Sequence, residues 1–193
     1  MTMPAVRLLG LSGSLRRGSH STATLHTLAG RCPAGVTIIP HDLRAVPLYD
    51  QDQDGEAAPE PVRALKDAIA AADGLVIVSP EYNHGMPGVL KNALDWASRP
   101  AFRSPLAGKP VLIATVSPAF TGGVRAQAQL RETLAATLSR VVPAPEIVIG
   151  SVHEKVRDGR LADEAAVRFA LDGLAVLVAE IRARRVADLA DAA

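Results

Sequence analysis

A single cysteine, Cys32, occurs in the 193 residues. It excludes an intramolecular disulfide and leaves no thiolate cluster for a metal. Beside Pro33, in an expected turn, it reads as an inert small residue. A dominant charge is missing too: 21 Lys and Arg face 20 Asp and Glu, for a formal net charge of +1. No global field draws the chain to nucleic acid or to an anionic membrane surface. No apolar run approaches the roughly 20 residues a membrane span needs. The opening MTMPAVRLLGLSG is too short and too weakly charged for a signal peptide, so a cytoplasmic protein is expected. The five histidines show no metal-ligand spacing, and no metal site is expected. Aromatics are scarce at 3%, yet 48% of residues are hydrophobic. The core must therefore be aliphatic, and the length suits one domain spanning residues 1–193.

What is present alternates between two periods. Val6–Leu11, Val36–Ile39, Gly74–Val78 and Lys109–Ser117 are short apolar runs rich in β-branched residues, the pattern of strands buried on both faces. Between them lie stretches with apolar residues at helical spacing. One starts near Ser19, Ser21 or Thr22, each a good N-cap, and stops at Gly30. Another carries Val62, Leu65, Ile69 and Ala72. A third opens at Pro87 and Gly88 and aligns Leu90, Ala93, Leu94 and Ala97. A fourth, over 123–140, should bury Leu130, Leu134 and Leu138. The segment 141–149 holds Pro143 and Pro145 and fits an edge strand. A last helix over 163–185 carries Val167, Leu171, Leu174, Val178 and Ile181. Strand–helix alternation without a repeat or linker predicts one doubly wound three-layer α/β/α domain.

The polar residues gather in the loops after the first, third and fourth strands. The first, GSLRRGSHST (13–22), combines the hydroxyls of Ser14, Ser19, Ser21 and Thr22 with Arg16 and a helix start. Free backbone N–H groups and the helix dipole make such a start an anion site. An over-provided N-cap would explain the serines alone, but the position directly after strand one favours a phosphate. It is no Walker A loop, since Ser19 and His20 stand where Lys and Ser/Thr are needed, and GxGxxG is absent. The second loop offers Pro80, Glu81, Tyr82, Asn83 and His84. The third, SPAFTGG, offers Ser117, Gly122 and Gly123, suited to the carbonyl edge of a flat heterocycle. Asp50, Asp52, Asp54 and Gly55 imitate the opening of an EF-hand loop, but Pro61 replaces its final Glu, which leaves a solvated acidic loop. With the polar loops after strands one, three and four, a five-stranded parallel sheet in the flavodoxin-like order 2-1-3-4-5 is expected. In that order ligands bind at the switch point between strands one and three, as FMN does in flavodoxin.

Four stretches, GSLRRGSHS, VPLYDQDQD, PEYNHGMPGVLKNALDW and SPAFTGGVRAQ, resemble the successive signatures of the NADPH-dependent FMN reductase family, which includes quinone, chromate and azo-dye reductases. The resemblance covers about three quarters of the chain. It implies that Ser14, Arg16, Ser19 and Ser21 hold the FMN phosphate, with Ser21 where the family commonly has Asn. Pro80, Glu81, Tyr82 and Asn83 would line the isoalloxazine ring, and Ser117, Gly122 and Gly123 its far edge. It further implies a homodimer or homotetramer with flavin sites near subunit interfaces. The activity implied is ping-pong transfer of hydride from NADPH or NADH, through FMN, to a small-molecule electron acceptor such as a quinone. The cofactor carries that chemistry, so no catalytic acid or base is named. Arg16, Arg17 and Arg99 are candidates for a phosphate of the nicotinamide dinucleotide. Two other functions share the fold: release of free reduced FMN to a monooxygenase, and electron carriage without a substrate of its own. The near-neutral charge and the lone Tyr82 in the second loop speak against the carrier, which is usually acidic and clamps its flavin between aromatics.

Overall fold

The computed structural model describes residues 4–191. The apolar runs form β1 (Val6–Ser12), β2 (Val36–His41), β3 (Gly74–Pro80) and β4 (Pro110–Val116). All pair in parallel, in the order β2-β1-β3-β4. The fifth place is filled by two short segments, β5 (Arg140–Val141) and β6 (Ile147–Ile149), each parallel to β4. Pro143 and Pro145 lie between them, and two missing N–H donors break what would otherwise be one edge strand.

Helices α1 (His20–Gly30), α2 (Glu60–Ala71), α3 (Gly88–Ala97) and α4 (Val124–Ala136) connect these strands. Alternation along each strand sends its residues to two cores. Val76, Val78, Leu112 and Ala114 join Leu25 and Leu28 of α1. Leu75, Ile77, Val111 and Ile113 join Leu65, Ile69, Leu90, Leu94, Leu130 and Leu134 of α2, α3 and α4. Right-handed crossovers require this division, because the winding direction reverses after β2. A short α5 (Val152–Lys155) leads into a hairpin of β7 (Val156–Arg157) and β8 (Arg160–Leu161). The final helix, α6 (Glu164–Asp191), buries Val167, Leu174, Val178 and Ile181 on the α1 side. Among the described residues, no helix is long and apolar enough to cross a membrane.

Two sequence expectations are corrected. Helix α4 stops at Ala136, and Leu138 is 49% exposed with φ +61°. Ser139 N–H reaches back to Leu134 C=O at 2.9 Å, a Schellman-type closure that puts Leu138 in the left-handed position and off the helical stripe. The last helix also runs six residues beyond the expected Arg185. The α5 and β7–β8 pieces were not legible, since segments of two to four residues carry no measurable periodicity.

Candidate functional site

The C-terminal ends of β1, β3 and β4 bring their three exit loops into contact. Gly13 N–H donates to Val78 C=O at 2.9 Å, anchoring the first loop to β3. A Cβ on Gly13 would stand 2.8 Å from Ser79 Oγ and 3.2 Å from Ser79 Cα, so a larger residue would force the loops apart. Ser14 Oγ lies 3.4 Å from the Tyr82 hydroxyl and ties the same two loops at a second point. Gly123, at φ +93°, closes the triangle: a Cβ there would lie 3.5 Å from that of Glu81. Its neighbour Gly122, at φ +61°, presses against Val148 and Gly150, where a side chain has no room.

In the first loop, Ser19 is the N-cap of α1, its Oγ accepting from Thr22 N–H at 3.2 Å. Ser21 and Thr22 fall inside the first turn instead. Their hydroxyls join a network in which Ser21 meets Ser19 at 2.8 Å and Thr22 meets Ser12 at 2.8 Å. Ser12, which the sequence reading did not single out, is its node, also 3.3 Å from Ser21. The only available signal was its place at the strand end, facing the helix. The first intrahelical bond runs from Ala23 N–H to Ser19 C=O at 2.9 Å. The amides of His20 and Ser21 precede it and are free for an anion. Ser21 is buried with its hydroxyl already engaged, so its backbone N–H is the group it can offer. The Arg16 guanidinium folds over Gly18. The His20 imidazole titrates below its ordinary value through burial first, then the Arg16 and His153 charges. This donor set, hydroxyls and free amides with an arginine and no carboxylate, fits a phosphate monoester.

The second loop is a tight turn on a rigid base. Tyr82 and Gly85 exchange backbone hydrogen bonds of 2.9 and 3.0 Å around Asn83 and His84, which have φ +50° and +67°. This is the type I′ geometry, which Asn tolerates well. Tyr82, Asn83 and His84 are exposed at the rim, and Pro80 ends β3 behind them. Glu81 reaches to α4: its Oε2 accepts from Arg125 N–H at 3.0 Å and Ala126 N–H at 3.2 Å. Helix α4 starts on Gly123 with no side-chain cap of its own, and Glu81 supplies one from 44 residues away. Gln129 Oε1 accepts from Met86 N–H at 2.6 Å, a second clamp between this loop and α4 that no sequence signal revealed.

Other residues singled out in the sequence make the following contacts. Ser117 Oγ accepts from Ala119 N–H at 3.1 Å, so its hydroxyl shapes the third loop. The polar residues of LKNALDW serve the loop after β2. Asn92 takes Tyr49 N–H at 2.7 Å and gives to Pro47 C=O at 2.8 Å, to which Trp96 Nε1–H also donates at 2.9 Å. Arg99 stands past the far end of α3, its guanidinium 5.7 Å from the centre of the Tyr49 ring, and does not join Arg16 and Arg17. Asp50 caps a short turn by accepting from Asp52 N–H at 3.0 Å, and Asp54 pairs with Lys66 at 3.1 Å. Among the described residues, no cluster of His, Cys, Asp or Glu can hold a metal ion. The Cys32 thiol is pushed up by burial and donates to Leu28 C=O at 3.3 Å.

Residues 6–154 match the NADPH-dependent FMN reductase family. An NAD(P)H-dependent FMN reductase of Pseudomonas aeruginosa is 41% identical over 162 residues, covering 83% of this chain and 87% of that protein. A quinone reductase of Escherichia coli is 42% identical over 167 residues, 84% of this chain and 88% of that one. Among solved structures, FerB, a flavoenzyme NAD(P)H:(acceptor) oxidoreductase from Paracoccus denitrificans, superposes with a TM-score of 0.78 at 27% identity. That match covers 90% of this chain and 96% of FerB. Three converging loops, a phosphate-type donor set at α1 and these relatives lead to one conclusion: the chain belongs to the NADPH-dependent FMN reductase family.

Proposed function

We propose that the protein is an FMN-dependent NAD(P)H oxidoreductase whose acceptors are quinones or similar small molecules. The observation that carries this is the contact of three loops at one sheet edge, with a phosphate-type donor set on one side and an exposed rim on the other. Ser14, Arg16, Ser19 and Thr22, with the amides of His20 and Ser21, hold the FMN phosphate. Pro80, Tyr82, Asn83 and His84 line one side of the isoalloxazine. Glu81 holds that wall against α4, and Ser117, Gly122 and Gly123 border the ring's far edge. When bound, FMN supplies the redox chemistry, taking a hydride from NAD(P)H and passing two electrons to the acceptor. The protein's own work is to fix the ring between rigid loops and leave one face open.

Tyr82 of the second loop is 50% exposed, and Phe120 of the third loop and Val124 at the start of α4 are 89% and 43% exposed. Apolar groups gathered around a polar site favour cover by a second subunit. We therefore read the active form as a homodimer or homotetramer, working in the cytoplasm.

The test is an anaerobic stopped-flow mix of FMN-reconstituted protein with NADPH or NADH, followed by addition of a quinone. Bleaching of the flavin's visible absorbance, then recovery, is expected. Bound FMN that neither nucleotide bleaches refutes the enzyme reading, and failure to bind FMN refutes the loop assignments. Retention of FMN on a desalting column after turnover separates a self-contained reductase from one that releases reduced flavin.

A further inference from the structure

The middle of the phosphate loop is a stretch that its own backbone does not hold. Gly13 N–H is anchored to Val78 C=O, and Ser19 N–H reaches Arg16 C=O at 3.1 Å. Among the described residues, neither Leu15 nor Arg17 takes part in a backbone–backbone hydrogen bond. Support comes instead from the segment after β2. Leu43 is buried in the core and fixes the main chain beside it, so that Arg44 is presented from a firm base. Arg44 Nη2 donates to Leu15 C=O at 3.0 Å, across 29 residues of sequence. Asp42 aims the arginine: its Oδ1 accepts from Arg44 N–H at 2.9 Å, and its Oδ2 lies 3.9 Å from Arg44 Nε. Arg44 and Leu15 thus border the same crevice as Ser14, Arg16 and Thr22, the residues assigned to the flavin phosphate.

The direction of the Arg44 bond has a chemical consequence. The Leu15–Arg16 peptide is trans, so its C=O and N–H point opposite ways. With Leu15 C=O drawn toward Arg44, the Arg16 N–H faces the other side, where Ser14 Oγ accepts it at 3.4 Å. That contact is long, and Ser14 stands on the flavin side of the loop, 3.4 Å from the Tyr82 hydroxyl. A phosphate oxygen placed there is a stronger acceptor for the same N–H. Were the peptide to turn over, a carbonyl oxygen would face the anion and repel it. We propose that Arg44 is a positioning residue for FMN: by holding Leu15 C=O outward, it keeps the Arg16 backbone N–H turned to the phosphate. This rests on the flavin reading above. Arg44 acts through the peptide and not by touching the cofactor, while Arg16 serves twice, with its guanidinium and its amide. The Arg44 side chain is 59% exposed, so the tie contributes as an ordinary hydrogen bond and not as a buried ion pair.

The test measures dissociation constants of FMN and of riboflavin, which lacks the phosphate, by fluorescence titration of the wild type, Arg44→Gln and Arg44→Lys. Arg44→Gln should weaken FMN about fivefold, the loss expected for one hydrogen bond, and leave riboflavin within about twofold. Arg44→Lys keeps a cationic donor for Leu15 C=O and should recover most of the FMN affinity. A second readout separates positioning from charge. In proton–nitrogen correlation spectra the Arg16 amide should move downfield when FMN joins the wild type, and much less in Arg44→Gln. Unchanged FMN affinity in Arg44→Gln, equal losses for FMN and riboflavin, or an Arg16 amide that ignores FMN in the wild type overturns the proposal. So does weaker FMN binding in Arg44→Gln with the Arg16 shift intact, which leaves Arg44 acting through its charge alone. A wild type that binds no FMN marks failure of the underlying flavin reading instead.

Discussion

Replacing Glu81 by alanine removes the side chain that caps the start of α4. Its carboxylate accepts two backbone N–H groups, at 3.0 and 3.2 Å, at the positive end of a 13-residue helix. Loss of an N-cap costs about 0.5–2 kcal/mol, and loss of the charge from the dipole about 0.3–1 kcal/mol more. The partly exposed site lets water replace part of the bonding, so about 2 kcal/mol is expected in total. For a domain of this size that lowers Tm by about 4–8 °C. Glu81→Gln keeps an acceptor and loses only the charge, so its loss should be about a third as large. Thermal melts of both variants without FMN, with amide hydrogen exchange at Arg125 and Ala126, measure the effect directly. If Glu81→Ala melts with the wild type and those two amides stay protected, the carboxylate is not the cap. The same variant should weaken FMN binding, because the second loop loses its tie to α4.

Three further outcomes follow from the geometry. Gly13→Ala should push the first and second loops apart at a cost of about 1–3 kcal/mol, seen as FMN affinity at least tenfold weaker in a fluorescence titration; a dissociation constant within twofold of wild type refutes the close approach. Trp96→Phe leaves Pro47 C=O with its Asn92 bond but removes the indole donor and part of a buried ring, so circular dichroism during urea unfolding should show a loss of about 1–3 kcal/mol. The His20 and His41 imidazoles both titrate below their ordinary value, chiefly through burial. The unfolded chain therefore takes up protons first as pH falls below about 6.5, and stability present above that pH is lost as pH drops through the folded values. The urea midpoint should be lower at about pH 5.5 than at pH 8, and His20→Asn with His41→Asn should shrink the difference; an unchanged difference refutes that origin.

The sheet and its helices were legible because β3 and β4 are apolar on both faces and the helices carry their buried residues at 3.6-residue spacing. Those are local properties of the chain, and right-handed crossovers then leave few ways to connect them. The anion site was legible for a similar reason: strand, glycine, hydroxyls and helix start all lie within GLSGSLRRGSHST. Tertiary structure decided what depends on partners distant in sequence. Glu81 reads as part of a polar loop until the fold sets it against Arg125 and Ala126. Gln129 and Asn92 look like ordinary helix residues until Met86 and Tyr49 come to them. Leu138 fits the stripe of α4 until Ser139 closes the helix early. Arg99 looks as promising in the sequence as Arg16 and Arg17, but the fold carries it past the far end of α3 to the Tyr49 ring. Residue type and spacing determine the elements and the kind of ligand the edge can bind. Which side chains face it, and which are spent holding the loops, is fixed only when the chain closes on itself.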